Sequence, residues 1–423
     1  MNKVKGLVLG VVSLATLSVV PVAASAQAAA SPAPGVTAST INVGIPYIDF
    51  AVLRSLGVNL NTGNWPHAYQ ALIANINAHG GVNGRKLTPF LVAVNPTGTA
   101  AAASACTQLV EDDHVFVAIS PEQVNCYVNT YHIPAIQGLM QTSAKNAAAN
   151  FTLEPPFQVY DPVQLAYFNK SGALKGKKVG LFAGSATDQA ELNLVRSELK
   201  KLHVNIVQSA VDSAPANDQA AADQQAQVIA QKFKDAGVNE VVAVGTGSAL
   251  WPKALDQNQS SYNPNWIGTN GTDLQSSIDT GGSNTVAPQY VKNMTASVPL
   301  PSYVAMWKDP AVQKCVSVIE KAYPSDPIAT PTPTTPGSGA TYEAPVDACQ
   351  YLGMFTKIAT TAGKNLTVSS FTKAGYGLRN VSFPGVGAPV SFGPNQPAAV
   401  GAVYPVKYDA ATNSLVIAST PLK

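Results

Sequence analysis

Five histidines and four cysteines are the side chains of this 423-residue chain best suited to metal or nucleophilic chemistry, and their spacing argues against both. His67, His79, His114, His132 and His203 are scattered, without the His-Glu-x-x-His pair of a zinc hydrolase. Cys106, Cys126, Cys315 and Cys349 lack the C-x-x-C or neighbouring histidine that a zinc site needs. No Gly-x-Ser-x-Gly elbow and no Walker loop is present. Gly245-Thr246-Gly247 reads as a strand-to-helix glycine turn, but it lacks the third glycine and the trailing acid of a dinucleotide fingerprint. The residues therefore point away from catalysis, metal and cofactor.

The cysteines are better explained by disulfides. Met1 to Lys5 carry two lysines, Gly6 to Val22 are almost wholly apolar, and Ala24-Ser25-Ala26 offers small residues to a signal peptidase. That is the order of a secretory signal, with residues 1–26 removed and 27–39 left as a flexible Ala/Pro/Gly/Ser leader. A membrane anchor is the competing reading; the small-residue site and the Pro-rich follow-on favour cleavage. No cysteine lies near residue 26, so no lipobox is expected. An exported, periplasmic or extracellular protein keeps its disulfides. Four cysteines allow three pairings, and the local ones, Cys106–Cys126 and Cys315–Cys349, are favoured.

Composition narrows the partners. Hydrophobic residues make up 46% of the chain, enough for large cores. Charged residues are only 12% and the formal net charge is +2, so no basic stripe suggests nucleic acid or a membrane surface. The positioning elements alternate. Ile41 to Pro46 reads as a buried strand, and Trp65, Tyr69, Leu72, Ile73 and Ile76 recur at helical spacing up to the glycine stop at Gly80-Gly81. Strands follow at Leu87 to Val94, Val115 to Ile119 and Ile133 to Ile136. The pattern restarts with strands at Lys178 to Phe182, Val204 to Val211, Val241 to Val244 and Trp266 to Gly268, separated by helices. Pro299 to Ser302 reads as a return crossover. Helices Asp309 to Ala322 and Tyr342 to Ala362 flank a Pro/Thr-rich loop, and the tail reads as strands at Ala399 to Tyr408 and Ser414 to Ala418. This alternation predicts an α/β protein with two doubly wound parallel-sheet lobes.

Five segments in order, INVGIPY, YQALIANINAHGGVNGRKL, CTQLVEDDHVFVAIS, KGKKVGLFAG and NWIGTNGTDL, resemble the type I periplasmic binding proteins, in particular the leucine/isoleucine/valine-binding branch. The resemblance covers about residues 40 to 420. It implies two lobes joined by a hinge of several crossovers: residues 40–158 with 300–380 in one, 159–299 with 381–423 in the other. It also implies a monomer that takes a small polar ligand, an amino acid or a relative of one, between the lobes and delivers it to an ABC permease. A ligand-sensing receptor subunit, or a secreted interaction protein, is the alternative.

Ligands of open parallel sheets sit beyond the carboxyl ends of the strands. The residues at those ends are Tyr47, Asp49, Ser120, Glu122, Gln123, Gln137 and Gly138 in the first lobe. In the second they are Ser185, Asp188, Trp251, Asn270 and Asp273, with Tyr160 near a crossover. The resemblance implies that Ser120 and nearby N–H groups hold a ligand carboxylate. Where the family often has an acid for the ligand ammonium, this chain has Asn270, with Asp273 three residues on. That departure leaves a neutral amide, a modified amino acid or another small polar metabolite as alternatives. Each residue also has a plain structural reading: Trp251 as a helix start, Asp188 as a cap, Ser120-Pro121-Glu122 as a helix entry, and Asn270-Gly271 as a turn.

Overall fold

The computed structural model describes residues 33–55, 59–96, 98–121, 123–139, 149–215, 218–258, 261–274, 277–278, 285–332, 339–393, 396–400 and 402–422. The expected signal segment lies outside them.

Two seven-stranded sheets form the framework. Strands β1 (Thr40–Ile48), β2 (Lys86–Val94), β3 (Val117–Ile119), β4 (Ala135–Leu139) and β5 (Asn150–Glu154) belong to the first. β6 (Val179–Ala183), β7 (Ile206–Val211), β8 (Glu240–Val244), β9 (Asn265–Gly268) and β10 (Met294–Val298) belong to the second. β11 (Ser391–Gly393) and β12 (Gln396–Val400) return to the first sheet, and β13 (Tyr404–Asp409) and β14 (Ser414–Ile417) close the second. The orders are β11-β12-β5-β4-β3-β1-β2 and β14-β13-β10-β9-β8-β6-β7. Both are parallel at the centre, with antiparallel pairs at the late edges: β11 on β12, and β13 on both β10 and β14.

The central strands are apolar on both faces because helices cover both sides; every residue of β6 and β8 is buried. The helices are α1 (Phe50–Ser55), α2 (Trp65–Ala78), α3 (Thr99–Thr107), α4 (Phe157–Lys170), α5 (Gln189–Lys201), α6 (Gln219–Asp235), α7 (Leu250–Asn258), α8 (Gly271–Leu274), α9 (Tyr303–Met306), α10 (Pro310–Ala322), α11 (Glu343–Ala362) and α12 (Val368–Gly377). α2 starts on an Asn64 cap, whose side chain accepts from the His67 N–H, and stops where Gly80 and Gly81 take positive φ. Among the described residues no helix is long and apolar enough to cross a membrane.

The chain changes sheet three times: between β5 and α4, between β10 and α9, and between β12 and β13. Pro155-Pro156 and Pro299-Leu300-Pro301 mark the first two. The third corrects a boundary. Residues 381–423 were expected wholly in the second lobe, but β12 pairs with β5 (Ala398 opposite Thr152) and β11 pairs with β12. The stretch Ala399 to Tyr408, which reads as one strand, is the end of one strand and the start of another on different sheets. A local alternation pattern does not say which edge a strand joins.

Both local disulfides form. Cys106–Cys126 ties α3 to a π-helical turn at Cys126–Thr130. Cys315–Cys349 joins α10 to α11 at the base of the Pro-rich segment.

Candidate functional site

The two sheets and their connections enclose a cavity of about 270 Å³. From the first sheet it is lined by Gly138 at the end of β4 and by Leu153 and Glu154 at the end of β5. From the second come Gly271, Val298, Val406, Leu415 and Ile417. The second sheet-to-sheet connection supplies Leu300, Pro301 and Ser302 and leads into Tyr303 and Met306 of α9; α11 adds Asp347, Gln350 and Tyr351. A ligand here touches both lobes, the condition under which binding favours a closed arrangement. A second cavity, of about 320 Å³, holds Tyr47 and Asp49 with Arg54, Trp65, Asp326 and Thr341. It is the larger of the two, but its described lining residues include none from the second sheet.

The polar side of the first cavity is built on α11. Glu343, Asp347, Gln350 and Tyr351 recur at helical spacing on one face. Tyr303 donates its hydroxyl to Asp347 Oδ1 at 2.9 Å. Gln350 is buried, and its amide nitrogen meets the Met306 sulfur at 3.5 Å, its one hydrogen-bond partner among the described residues. Gly138 admits Tyr351: a Cβ there would land on the Tyr351 hydroxyl. The carboxyl of Asp347 is crowded by protein yet still half-buried against the cavity. That burial, with the charges of Glu343 and Glu154 nearby, pushes it up to about 8, against the Tyr303 hydrogen bond that pulls it down. Burial also raises Glu343, to about 7. The hydroxyls of Tyr303, Tyr351 and Tyr69 are pushed well up by burial and by the Asp347 charge. Among the described residues lining this cavity there is no lysine, arginine or histidine.

A buried polar network holds the second-lobe wall. Gln164 of α4 donates to the Thr269 carbonyl at 3.1 Å and accepts from the Ser297 hydroxyl at 2.6 Å. Glu191 accepts from the Gly245 N–H at 3.0 Å and from the Thr269 hydroxyl. Asp188 accepts from the Gly247 N–H at 3.0 Å. Gly245 sits at φ 72°, where a Cβ would meet the Asp188 carboxyl. Asp161, buried beside this cluster, is raised well above the usual carboxylate range, first by burial and then by the Glu191 charge. These bonds set the loop from Thr269 to Gly271 at the cavity edge.

Of the residues expected at the site, Gly138 lines the interlobe cavity, and Asn270 directly precedes its Gly271. Tyr47 and Asp49 line the first-lobe cavity instead. Ser120 ends β3 with φ 55°, its N–H donating to the Ile136 carbonyl. Gln123 donates to the Thr99 carbonyl at 2.9 Å, and Ser185 caps the turn at Ala186–Asp188. Gln137 is buried inside the first sheet against Asn150, and Tyr160 is buried in α4. Trp251 departs most from expectation. It is fully buried and packs on Phe182 and Phe233, both at 5.5 Å between ring centroids, so it is a core residue and not a cleft residue. Glu122 and the Asp273 side chain lie outside the described residues. Sequence reading missed Glu154, Tyr303, Asp347, Gln350 and Tyr351. The available signal was the polar face Glu343, Asp347, Gln350 in a helix otherwise rich in buried apolar residues. Among the described residues no group of His, Cys, Asp and Glu is placed to hold a metal.

No curated protein matches the chain in sequence. Solved structures share its fold. A fatty acid ABC transporter substrate-binding protein from Thermomonospora curvata is 17% identical with a TM-score of 0.61, over 92% of this chain and 94% of its own. A solute-binding protein from R. palustris, in complex with 4-hydroxybenzoate, is 14% identical with a TM-score of 0.60, over 91% and 97%. The branched-chain amino acid transporter substrate-binding protein LivJ from Streptococcus pneumoniae, in complex with isoleucine, is 16% identical with a TM-score of 0.56, over 91% and 99%. At such identities the likeness speaks for the fold alone. The sequence profile of the family described as periplasmic binding protein matches residues 61–413. With two sheets, three crossings and a cavity between them, the chain belongs to the type I periplasmic binding protein family.

Proposed function

We propose that this chain is an extracytoplasmic solute-binding protein that captures a small ligand between its lobes and delivers it to an ABC permease. The observation that carries this reading is the cavity walled by Gly138, Leu153 and Glu154 on one side and by Gly271, Val298 and Val406 on the other. A ligand there touches both lobes and the connections between them. At about 270 Å³ the cavity sits near the lower end of small-molecule sites, so the ligand is compact. Asn270, next to Gly271 of the cavity wall, is read here as the second-lobe position that meets the ligand, as the resemblance implies.

The test is a thermal-shift and small-angle-scattering screen of the chain from Gln27 on, against amino acids, short amides, aromatic and aliphatic carboxylates, and amines. A ligand that raises the melting temperature and shrinks the radius of gyration together supports capture by closure. Stabilisation without compaction, or no response to any class, removes the reading. Delivery is tested by pull-down of permease subunits with ligand-loaded and ligand-free protein; equal recovery argues against transport.

A further inference from the structure

We propose that the ligand is elongated: its head fills the interlobe cavity, and an unbranched apolar tail passes the Met306 side chain into a neighbouring cavity beside the sheet-to-sheet connections. The proposal rests on the solute-binding reading above, and the compact size derived there then applies to the part held between the lobes. The neighbouring cavity is of about 540 Å³. Pro301 of the second connection and Ala305 and Met306 of α9 line it on one side, Phe383 and Gly385 on another, and Tyr404, just past the third connection, on a further one. Three described residues belong to both cavities: Pro301, Met306 and Ile417.

The partition between the cavities is one side chain thick. The Met306 sulfur meets the Gln350 amide nitrogen, on the interlobe side, at 3.5 Å. The base of the same side chain faces Gly385, on the far side: a Cβ on Gly385 would lie 3.2 Å from Met306 Cβ, 3.3 Å from its Cγ and 2.9 Å from the Gln350 nitrogen. Gly385 and Gly387 take φ 72° and 76°, where glycine is favoured; a Cβ on Gly387 would lie 3.0 Å from the Pro301 ring. The two bare positions keep the far cavity open up to the partition. Met306 is the side chain suited to a gate. It is unbranched, turns about three bonds without moving backbone, and its sulfur is a weak acceptor, so little is lost when it swings aside. The apolar lining is continuous through the partition. Val298, Leu300 and Leu415 lead to it on the interlobe side, and Ala305, Phe383 and Pro389 carry on beyond it. Ile417 at the junction is 41% exposed, an apolar side chain that gains from being covered. In the far wall Asp309 is engaged by the Ala311 and Gly385 N–H groups, and exposed Lys308 and Ser382 mark where the cavity meets solvent. Asp347, Glu154 and Gln350 line the interlobe cavity, so the polar head stays between the lobes.

The experiment is calorimetric titration of the chain from Gln27 on with straight-chain alkanoates, alkylamines and alkanamides of four, six, eight and ten carbons, three head groups so that none is presumed. Each buried methylene raises affinity by up to about fourfold. The expected result is one series in which affinity rises by about tenfold or more from six to ten carbons. Ala305→Phe and Ala388→Phe, which fill only the far cavity, should abolish that gain while leaving four-carbon affinity within about threefold of the unsubstituted protein; two variants guard against one that misfolds. Met306→Phe, whose ring cannot fold out of the way, should abolish the gain as well. A series that binds but stops gaining at six carbons overturns the tail assignment, as does a length gain that survives all three variants. Silence of all three series beside a compact hit from the broader panel also overturns it and leaves the solute-binding reading standing. Silence of the whole panel removes both.

Discussion

Replacing Asp347 by Asn should stabilise the protein at neutral pH and leave it unchanged in acid. The folded carboxyl titrates at about 8, against about 3.9 in an unfolded chain. Between those values the folded state holds a proton that the unfolded state has released. Stability is therefore fully present below about pH 4 and is lost as pH rises, at up to about 1.4 kcal/mol per pH unit, until the folded pKa is passed. At pH 7 the interval is about three units, an upper bound of about 4 kcal/mol. Asp347 is half-buried and borders the cavity, so solvent screening reduces this to about 2 kcal/mol. Asn carries no such cost, and its carbonyl oxygen still accepts the Tyr303 hydroxyl. The assay is urea unfolding of both proteins by tryptophan fluorescence at pH 4.5, 6, 7 and 8. Glu240, raised to about 7 by burial, tilts both curves equally; Glu343 faces Asp347, so the difference reports Asp347 together with its coupling to Glu343. A gap that does not change with pH, or a less stable variant at pH 7, would refute the argument that Asp347 is held against its preferred charge state.

Three further outcomes follow from packing. Replacing Cys315 and Cys349 together by Ser opens a loop of sequence separation 34 and should cost about 4 kcal/mol; a melting curve indifferent both to this change and to reductant would contradict it. Trp251→Ala should cost about 3 to 5 kcal/mol in chemical unfolding, as expected for a fully buried indole, with ligand affinity of the folded protein unchanged; a selective loss of affinity would return Trp251 to the cleft. Gly138→Val places a side chain on the Tyr351 hydroxyl at the cavity wall and should weaken ligand binding by about tenfold while costing roughly 1 to 3 kcal/mol of stability, read by titration and melting; unaltered binding would take Gly138 out of the site.

The chain's own pattern was enough for most of its elements and for its local links. Apolar runs such as KVGLF and VVAV are too continuous for a half-exposed sheet, and Gly-Gly and Asn caps mark where helices stop and start. Short-range disulfides follow from proximity along the chain, which sequence records directly. β5 and α12 escaped because Asn150–Glu154 is short and mixed, and because the stretch around Val368–Gly377 carries few charges to mark a face.

The site depended on distance that the sequence does not encode. Residues at strand ends were legible as a class, but the class includes Trp251, which turns inward to Phe182 and Phe233, and Gln137, which turns to Asn150. Asp347 reads in sequence as one polar residue on a long helix. Only packing α11 against β4 and α9 brings it to Tyr303, 44 positions away, and into a cavity shared with Gly271 and Val406 of the other sheet. Which edge β12 joins was likewise decided by tertiary pairing. Periodicity is a local property, fixed by neighbours a few residues apart, and it marked most of the strands and helices, while the resemblance of five segments implied the family. The sign and shape of the cavity are sums over groups far apart in the chain, and those sums exist only once the sheets are assembled.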